Sequence, residues 1–571
     1  MEHVNQNADT VHSPDSILGP VEPDVAWRPI DRTGFRIFAE GSRERADRAP
    51  IIGKWRGKQD RSGIEEPSET FKELVDKYPA FFQFYFSTNY REEEGRTVTD
   101  IFKFYQGRVL LESRDLFTHP ALDKSFVDFV RDKYPPVGDV EYTALFKDGM
   151  LRLDVFRLLL DKLDPTKSPG FPLTSFFTTN QDLEEYVAEL YDLINFRLHS
   201  FEELGVEVLD NDFFNLSDEQ SLHVAIELTK SNRSCPVGVG EKKEPRAIED
   251  GKRKPPRLVS QVSLITNRVL AVIVGDALLL EQRQKGIVPT AVALDLFTPS
   301  ELEDRFNTFA AVGEMSTSDV RGWEYSVRKE ERWRACFWRA YSMNLISFCE
   351  NERGYIVNPG KSQHFHALIG VYFSLIYRLV VTPCGDVLFP PPGQVSSGEL
   401  VTFSDNSFMR ADAANRVSLT ATGSPVKHVF TAGDDCLDTN GNHLDIYRAL
   451  GKEITDFSIQ KDRYNFCSTT FLPEGGTYQD NIRRTTYSIM GHISDGSLII
   501  DHLEAFKTCY ARHPEFLSAL DLITECLMLS EFDDSLSFLS WAVSNGSRVK
   551  SAPDVLRLRG YKEFELNGET Q

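Results

Sequence analysis

The pattern of apolar and polar positions separates an N-terminal extension from a packed domain. Residues 1–26 are rich in Asn, Asp, Ser and Pro and hold no aromatic side chain, which is typical of a mobile extension. From about Phe71 onward, apolar residues are frequent enough to form a core. A helix is predicted over Asn180–Leu198, with Asn180 as its N-cap, from apolar residues at helical spacing: Leu183, Val187, Leu190 and Ile194.

The second half of the chain alternates between strand-like and helical patterns. Met315, Thr317 and Asp319 fall on one face of a predicted strand. The runs His428–Ala432 and Cys436–Thr439 predict a hairpin whose turn carries two acids. Helical patterns return near the C-terminus, in Ile499–Tyr510 and Leu517–Leu529. Because the strands lie between helices without a regular βαβ alternation, we predict an α+β architecture.

The segment Cys235–Arg257 breaks this pattern. It consists largely of Pro, Gly and charged residues. We therefore predict a long, exposed and functional loop.

Composition and charge limit the function classes. The 571 residues carry 64 Lys and Arg against 86 Asp and Glu, a formal charge of −22. Bulk positive charge therefore cannot hold nucleic acid on the surface of this protein. The eight cysteines lie far apart without a CxxC pair, which indicates a reducing compartment and offers no zinc site. No Lys or Arg precedes Arg28 and the longest apolar stretches contain charges, so neither a signal peptide nor a transmembrane segment is predicted.

Gly433-Asp434-Asp435 is the first candidate for chemistry. Two carboxylates at a hairpin tip, facing a third on an adjacent strand, can hold two divalent cations about 3.5–4 Å apart. Oxygen ligands of this kind suit Mg²⁺ or Mn²⁺. Taken alone, the tripeptide is also an ordinary turn sequence.

Three further segments complete the candidate site. Asp319 ends its strand and Glu324 follows five residues later, so Asp319 can hold metal while Glu324 contacts a nucleotide sugar. Ser397-Gly398 forms a small-residue loop that opens a helix, and Thr402 and Asn406 share one face of that helix. Both segments also fit simpler interpretations, a solvated turn and a polar helix start.

The third of these segments, Lys242–Arg257, holds seven basic and three acidic residues, a local charge of +4. Such a charge can bind a triphosphate or a nucleic-acid backbone, although a charge run also fits a solvated surface. Gly354–Ser362 resembles a phosphate-binding P-loop but has one residue too many between its glycines. Pro359 also removes an amide that such a loop requires, so we do not predict an ATPase or helicase site.

In order and internal spacing, these segments resemble the RNA-dependent RNA polymerases of positive-strand RNA viruses over about Lys167–Phe471. The resemblance is closest to the sobemovirus-like group, which includes the barnaviruses, in Lys243-Glu244-Pro245, Asp319–Trp323 and Phe466-Cys467-Ser468. The family usually has Asp where this chain has Glu324.

The resemblance implies a role for each matching residue. Asp319 and Asp434 would hold two Mg²⁺ or Mn²⁺ ions, with Asp435 as an additional ligand. Lys243 and Arg257 would bind the triphosphate of the incoming ribonucleotide, and Lys461, or alternatively Lys452, would protonate the pyrophosphate. The remaining positions would contact nucleotide or RNA: Glu324, Ser397, Gly398, Thr402 and Asn406 the nucleotide, Ser168 and Gly170 the template, and Cys467 and Ser468 the primer end.

The resemblance also implies a right-hand architecture of fingers, palm and thumb. The predicted divisions are an extension (1–65), fingers (66–308), palm (309–350 and 395–475), a fingers insertion (351–394) and a thumb with C-terminal tail (476–571). The implied partners are an RNA template and product strand, ribonucleoside triphosphates, a viral protein primer and other replication proteins, in the host cytoplasm at a membrane-associated complex. A reverse transcriptase and a catalytically silent RNA-binding scaffold are the alternatives.

Overall fold

In a computed structural model, the described part of the chain forms an α+β structure of twenty strands and fourteen α-helices. The structure describes residues 35–37, 49–55, 73, 76–79, 85–87, 97–109, 119–138, 140–175, 177–242, 244–249, 252–253, 255–291, 299–349, 354–473, 477–491, 502–503, 505–507 and 509–529. Residues 1–26 and Lys243 lie outside these ranges. The predicted α+β class is confirmed.

The strands in chain order are β1 Phe35–Ile37, β2 Ile51–Trp55, β3 Tyr85–Ser87, β4 Phe146–Lys147, β5 Met150–Leu151, β6 Val237–Glu241, β7 Pro245–Glu249, β8 Lys252–Arg253, β9 Leu258–Gln261, β10 Met315–Val320, β11 Ile346–Phe348, β12 Tyr355–Val357, β13 Val380–Val381, β14 Asp386–Leu388, β15 Val429–Ala432, β16 Asp435–Asp438, β17 Ile454–Gln460, β18 Tyr464–Phe466, β19 Thr469–Phe471 and β20 Thr477–Gln479.

The helices are α1 Val98–Arg108, α2 Lys124–Lys133, α3 Leu153–Asp161, α4 Val187–Asp210, α5 Asp218–Lys230, α6 Leu264–Glu281, α7 Pro299–Val312, α8 Trp323–Ser326, α9 Lys329–Ser342, α10 Ser362–Ile376, α11 Thr402–Thr422, α12 Leu444–Ala449, α13 Ile482–Gly491 and α14 Phe516–Leu529. None of the helices within the described ranges is long and apolar enough to cross a membrane.

The sheet that positions the site has the order β15-β16-β10-β17 and is antiparallel. The predicted strand at Met315–Asp319 and the predicted hairpin are both present as β10 and β15–β16. A second sheet, β1-β2-β14-β13-β6-β9, joins distant parts of the chain. It includes strands from the predicted extension (1–65) and from the predicted fingers insertion (351–394). The division into fingers, palm and thumb stays a prediction.

A large core of apolar side chains holds the helices together. The buried faces of α4, α6, α9, α10 and α11 meet in it. Two glycines allow α10 and α4 to approach closely, since a Cβ on Gly370 would lie 2.0 Å from Phe201 O and one on Gly205 would lie 1.9 Å from His366 O. Burial of this apolar surface is the main stabilising contribution to the fold.

Two local predictions were wrong. Cys235–Arg257 is not an open loop, because most of it forms β6, β7 and β8; pairing with distant strands satisfies its backbone groups. Asn180 is not an N-cap, since the Thr179 side chain caps a short 3₁₀ turn that precedes α4. Residues 35–37 and 51–55, within the predicted extension (1–65), form strands of the second sheet, and the bounds of that extension stay a prediction.

Candidate active site

Three carboxylates meet where β10 ends beside the β15–β16 turn. Gly433 adopts a φ of 66° in this turn, a conformation that glycine reaches without strain. Thr317 pairs with Leu437 across β10 and β16, and continuing this register places Asp319 beside Asp435. Asp434 lies at the tip of the same turn, so the three predicted acids lie together.

The electrostatics of these acids reflect their proximity. Partial desolvation and the carboxylates of Asp434 and Asp319 raise the pKa of Asp435 to about 6. Desolvation and Asp434 also raise the pKa of Asp319. Like charges held close together favour protonation of one of them, and a divalent cation would relieve the same repulsion.

These residues fit hard divalent cations. Across the described ranges, no group of three or more His, Cys, Asp or Glu side chains is spaced to hold a metal ion by itself. Carboxylates on neighbouring strands nevertheless suit Mg²⁺, which commonly takes only one or two protein carboxylates and completes its shell with water and substrate phosphates. The donor set is therefore compatible with ions that bind together with a nucleotide.

Helix α11 is hydrogen-bonded to the β15–β16 hairpin and so fixes its turn. The Gly433 amide donates to Ser407 Oγ at 2.8 Å, and Thr431 Oγ1 donates to Ser407 O at 2.8 Å. On the other side, the Thr431 amide donates to Pro289 O at 3.0 Å. The acidic turn is thus fixed to a long buried helix by hydrogen bonds at both its backbone and its side chains.

Arg410, fully buried on α11, connects both acid-bearing strands. Its guanidinium donates to Asp434 O at 3.2 Å and to the backbone oxygen of Ser318 at 3.3 Å, and it also contacts Ser318 Oγ. A fourth hydrogen bond reaches Tyr447 Oη at 3.2 Å. Hydrogen bonds from this one side chain therefore link β10, the β15–β16 turn and α12.

The Ser397-Gly398 loop is held between two parts of the fold. The Asn267 side chain on α6 donates to Gly398 O at 3.0 Å and accepts from the Leu400 amide at 2.9 Å. Ser397 Oγ accepts from the Ser260 amide at 3.2 Å. These contacts, together with the start of α11 at Thr402, give the predicted nucleotide-binding loop a defined conformation.

Gly398 has no room for a side chain, which leads to a testable prediction. A Cβ there would lie 2.6 Å from Ser260 O, so Gly398→Ala must displace the loop. Overpacking of this kind typically costs about 1–3 kcal/mol, and we expect about a tenfold or larger loss of nucleotide incorporation. Steady-state incorporation kinetics measure it.

Gly275→Ala on α6 is the matched control, since its Cβ would meet nothing closer than 3.9 Å. That variant should keep its activity and gain slightly in stability. Equal activity of Gly398→Ala and the wild type would show that the loop does not require its observed conformation.

A buried network of three Arg and three acidic residues lies beneath this loop and α11. Arg332 contacts Glu399 at 2.6 Å and Asp405 at 3.2 Å. Arg339 contacts Asp405 at 2.6 Å and Glu281 at 2.8 Å, and Arg378 contacts Glu399. The positive and negative charges balance, as buried ionic groups require.

The predicted sugar-contacting residues lie on α11 (Thr402 and Asn406) and on α8 (Glu324). Asn406 is 8% exposed, and its Oδ1 has no hydrogen-bond partner among the described residues. Thr402 Oγ1 donates to Ser396 O at 2.6 Å, so it can only accept a further hydrogen bond. Desolvation and Asp434 raise the pKa of Glu324 to about 7, while Arg257 and Lys242 oppose that shift. Glu324 is therefore influenced both by one of the acids and by two of the basic residues.

The basic residues gather around one buried carboxylate, Glu244. Arg257 Nε lies 2.5 Å from Glu244 Oε1, and Arg484 lies 2.7 Å and Lys242 3.1 Å from Oε2. Arg246 contacts Glu244 at 3.6 Å. Four cations around one anion leave a net positive charge, which suits a polyphosphate. The structure thus places predicted Arg257 in this basic cluster, whereas predicted Lys243 lies outside the described residues.

The predicted template and primer segments take up defined positions. Ser168 Oγ accepts from the Gly170 amide at 3.2 Å, and a Cβ on Gly170 would lie 2.0 Å from Val262 O. Cys467 and Ser468 form the turn of the β18–β19 hairpin, with φ values of 55° and 52°. Burial and then Asp435 and Asp434 raise the pKa of the Cys467 thiol, so this turn lies beside the acids.

The structure does not place either of the two candidate lysines beside the three acids. Gln460 pairs with Met315 at the end of β10 remote from Asp319, and the exposed Lys461 follows Gln460. Lys452 is fully buried and donates to Glu331 at 2.8 Å and to Ser326 O at 2.9 Å. Its ammonium is therefore engaged in a buried ion pair with Glu331. The P-loop-like lysine, Lys361, is similarly engaged, since it donates to Val140 O at 3.2 Å.

The sequence did not indicate several residues that shape the site: Arg410, Ser407, Asn267, Glu244 as an anchor, and Arg484. Arg410 follows Asn406 by four positions on one helix face, a signal that could have identified it. The other four act through contacts between distant segments.

This chain is similar to viral RNA-dependent RNA polymerases of known structure. The Sicinivirus 3Dpol RNA dependent RNA polymerase has the same fold, with a TM-score of 0.57, 13% identity, and coverage of 85% of this chain and 95% of that chain. An RNA-dependent RNA polymerase of a human picorbirnavirus gives a TM-score of 0.48 at 12% identity, covering 90% of this chain and 91% of that chain. No protein-family profile matches the sequence.

The sequence aligns over 316 residues, with 24% identity, to the replicase polyprotein P2AB of Southern bean mosaic virus. The match covers 54% of this chain and only 28% of that polyprotein. The chain therefore has the right-hand fold of viral RNA-dependent RNA polymerases. The predicted resemblance to these enzymes, and to the sobemovirus-like group among them, is confirmed.

Proposed function

We propose that this chain is an RNA-templated RNA polymerase of a viral replication system. The observation that carries the proposal is the meeting of Asp319 with Asp434 and Asp435 where β10 ends beside the β15–β16 turn. A basic cluster surrounds Glu244, and two of its members, Arg257 and Lys242, influence the pKa of Glu324, as Asp434 does. Carboxylates for metal ions and cations for a triphosphate are the two components that nucleotidyl transfer requires.

In this mechanism, Asp319 and Asp434 hold the metal ions, with Asp435 as an additional ligand. Two Mg²⁺ or Mn²⁺ ions, when bound, supply activation of the attacking 3′-hydroxyl and stabilisation of the leaving pyrophosphate. Arg257 binds the triphosphate, for which its planar guanidinium is well suited. We propose the same role for Lys243, and Lys461 stays a candidate proton donor that would have to move toward the acids.

Selection of ribose would rest on Asn406 with Glu324 and Thr402. The unpartnered Asn406 Oδ1 can accept a hydrogen bond from a ribose 2′-hydroxyl, a group that deoxyribose lacks. The loops at Ser168–Gly170 and Cys467–Ser468 would guide the template and support the primer end. Ser397 and Gly398 would contact the nucleotide through their rigid loop.

The proposed partners are RNA and ribonucleoside triphosphates. The match to a replicase polyprotein supports a role beside other replication proteins in the host cytoplasm. A protein primer and a membrane-associated complex are further proposals, which the resemblance implies.

A primer-extension assay tests the proposed function. Purified protein with Mg²⁺ or Mn²⁺ should extend a primed RNA template with ribonucleotides and use deoxyribonucleotides poorly. Efficient synthesis of DNA would instead identify a reverse transcriptase. RNA binding without incorporation under either metal would identify a silent scaffold.

Asn406→Ala should weaken the selection of ribose. Loss of one neutral hydrogen bond costs about 1–1.5 kcal/mol, so the ratio of kcat/KM for ribo- over deoxyribonucleotide should fall about tenfold. Single-nucleotide incorporation with matched GTP and dGTP measures this ratio. Asn442→Ala, an exposed site in the described residues, should leave the ratio unchanged, and an unchanged ratio in Asn406→Ala would remove Asn406 from sugar selection.

A further inference from the structure

Helix α1 contacts two segments of the candidate site, the segment that carries Arg257 and helix α8. Phe102 of α1 belongs to one apolar cluster with Leu258, the residue after Arg257. Tyr105 and Tyr325 are partly buried against the same cluster, and Tyr325 belongs to α8. The helix therefore joins the basic segment to α8, although no sequence motif pointed to it.

Tyr105 contacts both segments with one side chain. Its ring stacks on that of Tyr325, with 5.4 Å between the ring centroids and an angle of 4° between the planes. Its hydroxyl donates to Pro255 O at 3.0 Å and to Pro256 O at 3.1 Å. Burial raises the pKa of Tyr105, so the hydroxyl stays protonated and can donate. Because Pro255 and Pro256 immediately precede Arg257, Tyr105 links the backbone that leads into Arg257 to α8.

The neighbours of Tyr105 fix its place against α8. Gln106 and Gln394 are buried, and their side-chain amides exchange hydrogen bonds at 2.8 and 2.7 Å. The Gln394 side chain also donates to Tyr325 O at 3.2 Å. The Phe102 ring meets the Tyr325 ring edge-on, at 5.9 Å between centroids. Satisfied buried polar contacts of this kind favour one arrangement of the packed elements, so we expect α1 and α8 to keep one relative position.

A bound nucleotide would depend on the distance between these segments. In the proposed function, Arg257 binds the triphosphate, and Glu324, the residue before Tyr325, contacts the sugar. The Arg257 side chain is 43% exposed while it contacts Glu244, so its guanidinium remains open to a ligand. Because an arginine fork binds phosphate only in a suitable orientation, the backbone that carries Arg257 has to be held in place.

We propose that Tyr105 is a positioning residue, which holds Arg257 at a fixed distance from Glu324 so that one ribonucleoside triphosphate can contact both. This inference rests on the proposed function, because it takes Arg257 to bind the triphosphate. Loss of one neutral hydroxyl donor should weaken nucleotide binding about fivefold without abolishing it. The triphosphate is held in the ground state and in the transition state alike, so the maximal rate of incorporation should change by less than about twofold.

The test measures nucleotide binding and chemistry separately, in the full chain. A fluorescence titration with mant-labelled GTP and Mg²⁺ gives the Kd, and single-turnover incorporation gives the maximal rate. Tyr105→Phe keeps the ring that stacks on Tyr325 but removes the hydroxyl, and its Kd should rise about fivefold. Tyr191→Phe is the matched control, since the Tyr191 hydroxyl on α4 also donates to a backbone carbonyl, Leu151 O. It should leave the Kd unchanged.

A double substitution tests whether Tyr105 acts through Arg257. In an Arg257→Gln background, Tyr105→Phe should raise the Kd no further, because the side chain that Tyr105 positions is already lost. Effects that multiply in the double variant would show that Tyr105 acts by another route and would overturn the positioning role.

The remaining outcomes also decide between the two proposals. An unchanged Kd in Tyr105→Phe, in a preparation whose unsubstituted protein is an active polymerase, overturns the positioning role and leaves the proposed function intact. A lower unfolding temperature with equal losses in affinity and maximal rate would show a merely structural role and would also overturn it. A Tyr105-dependent Kd for GTP in a chain that incorporates no ribonucleotide would uphold the positioning role and reject the proposed function. A chain that neither binds GTP nor incorporates it would reject both.

Discussion

Asp434→Asn should lower templated ribonucleotide incorporation by about a thousandfold, equivalent to about 4 kcal/mol of transition-state stabilisation. Asparagine keeps the shape of the side chain but removes the negative charge that a divalent cation requires. The fold should persist, because the described contacts of residue 434 use its backbone carbonyl, which accepts from Arg410 at 3.2 Å. Single-turnover incorporation over a range of Mn²⁺ concentrations measures the effect.

Asp445→Asn is the control for this prediction, since Asp445 is exposed on α12 and away from the acidic turn. It should retain full activity. Wild-type rates in Asp434→Asn, in a preparation whose unsubstituted protein is active, would show that the metal assignment is wrong.

Arg332→Met should destabilise the protein by about 3–5 kcal/mol. Arg332 is fully buried and contacts Glu399 and Asp405, whose side chains are also fully buried. Without this cation, the two buried carboxylates lose part of the positive charge that neutralises them. This loss costs far more free energy of folding than the intact ion pairs contribute. The midpoint of urea unfolding and its slope measure the change.

Lys124→Met provides the comparison for Arg332→Met. Lys124 forms an ion pair with Asp128 at 2.6 Å, but its side chain is 84% exposed. Exposed pairs contribute about 0–1 kcal/mol, so this variant should unfold close to the wild-type midpoint. Similar losses in the two variants would contradict the view that burial determines the cost.

The elements with strong local patterns could be predicted from the sequence. The β15–β16 hairpin, β10 and α11 follow from alternation, turn residues and helical spacing, which are encoded within a few residues. The acids at 319, 434 and 435 could be predicted for the same reason. Each stands at the end of a locally determined strand or in its turn.

What the sequence did not show depends on contacts between distant segments. β6 and β7 pair with strands far away in the chain, and a segment rich in Gly, Pro and charge carries little local strand preference. The role of Glu244 likewise depends on contacts that the local sequence does not show. In the sequence it is one acid among many bases, whereas in the structure Arg257, 13 residues away, and Arg484, 240 residues away, both contact its carboxylate.

Arg410 couples three separate segments, because each of them contributes a hydrogen-bond partner to its guanidinium. Its guanidinium contacts Ser318, the Asp434 carbonyl and Tyr447, so replacing either side-chain partner alters the hydrogen bonds available to the others. Substitutions at Ser318 and Tyr447 should therefore not be additive, although no direct hydrogen bond joins these two residues among the described contacts. During divergence, the strand that carries Asp319 and the helix that follows the β15–β16 hairpin are constrained to change together.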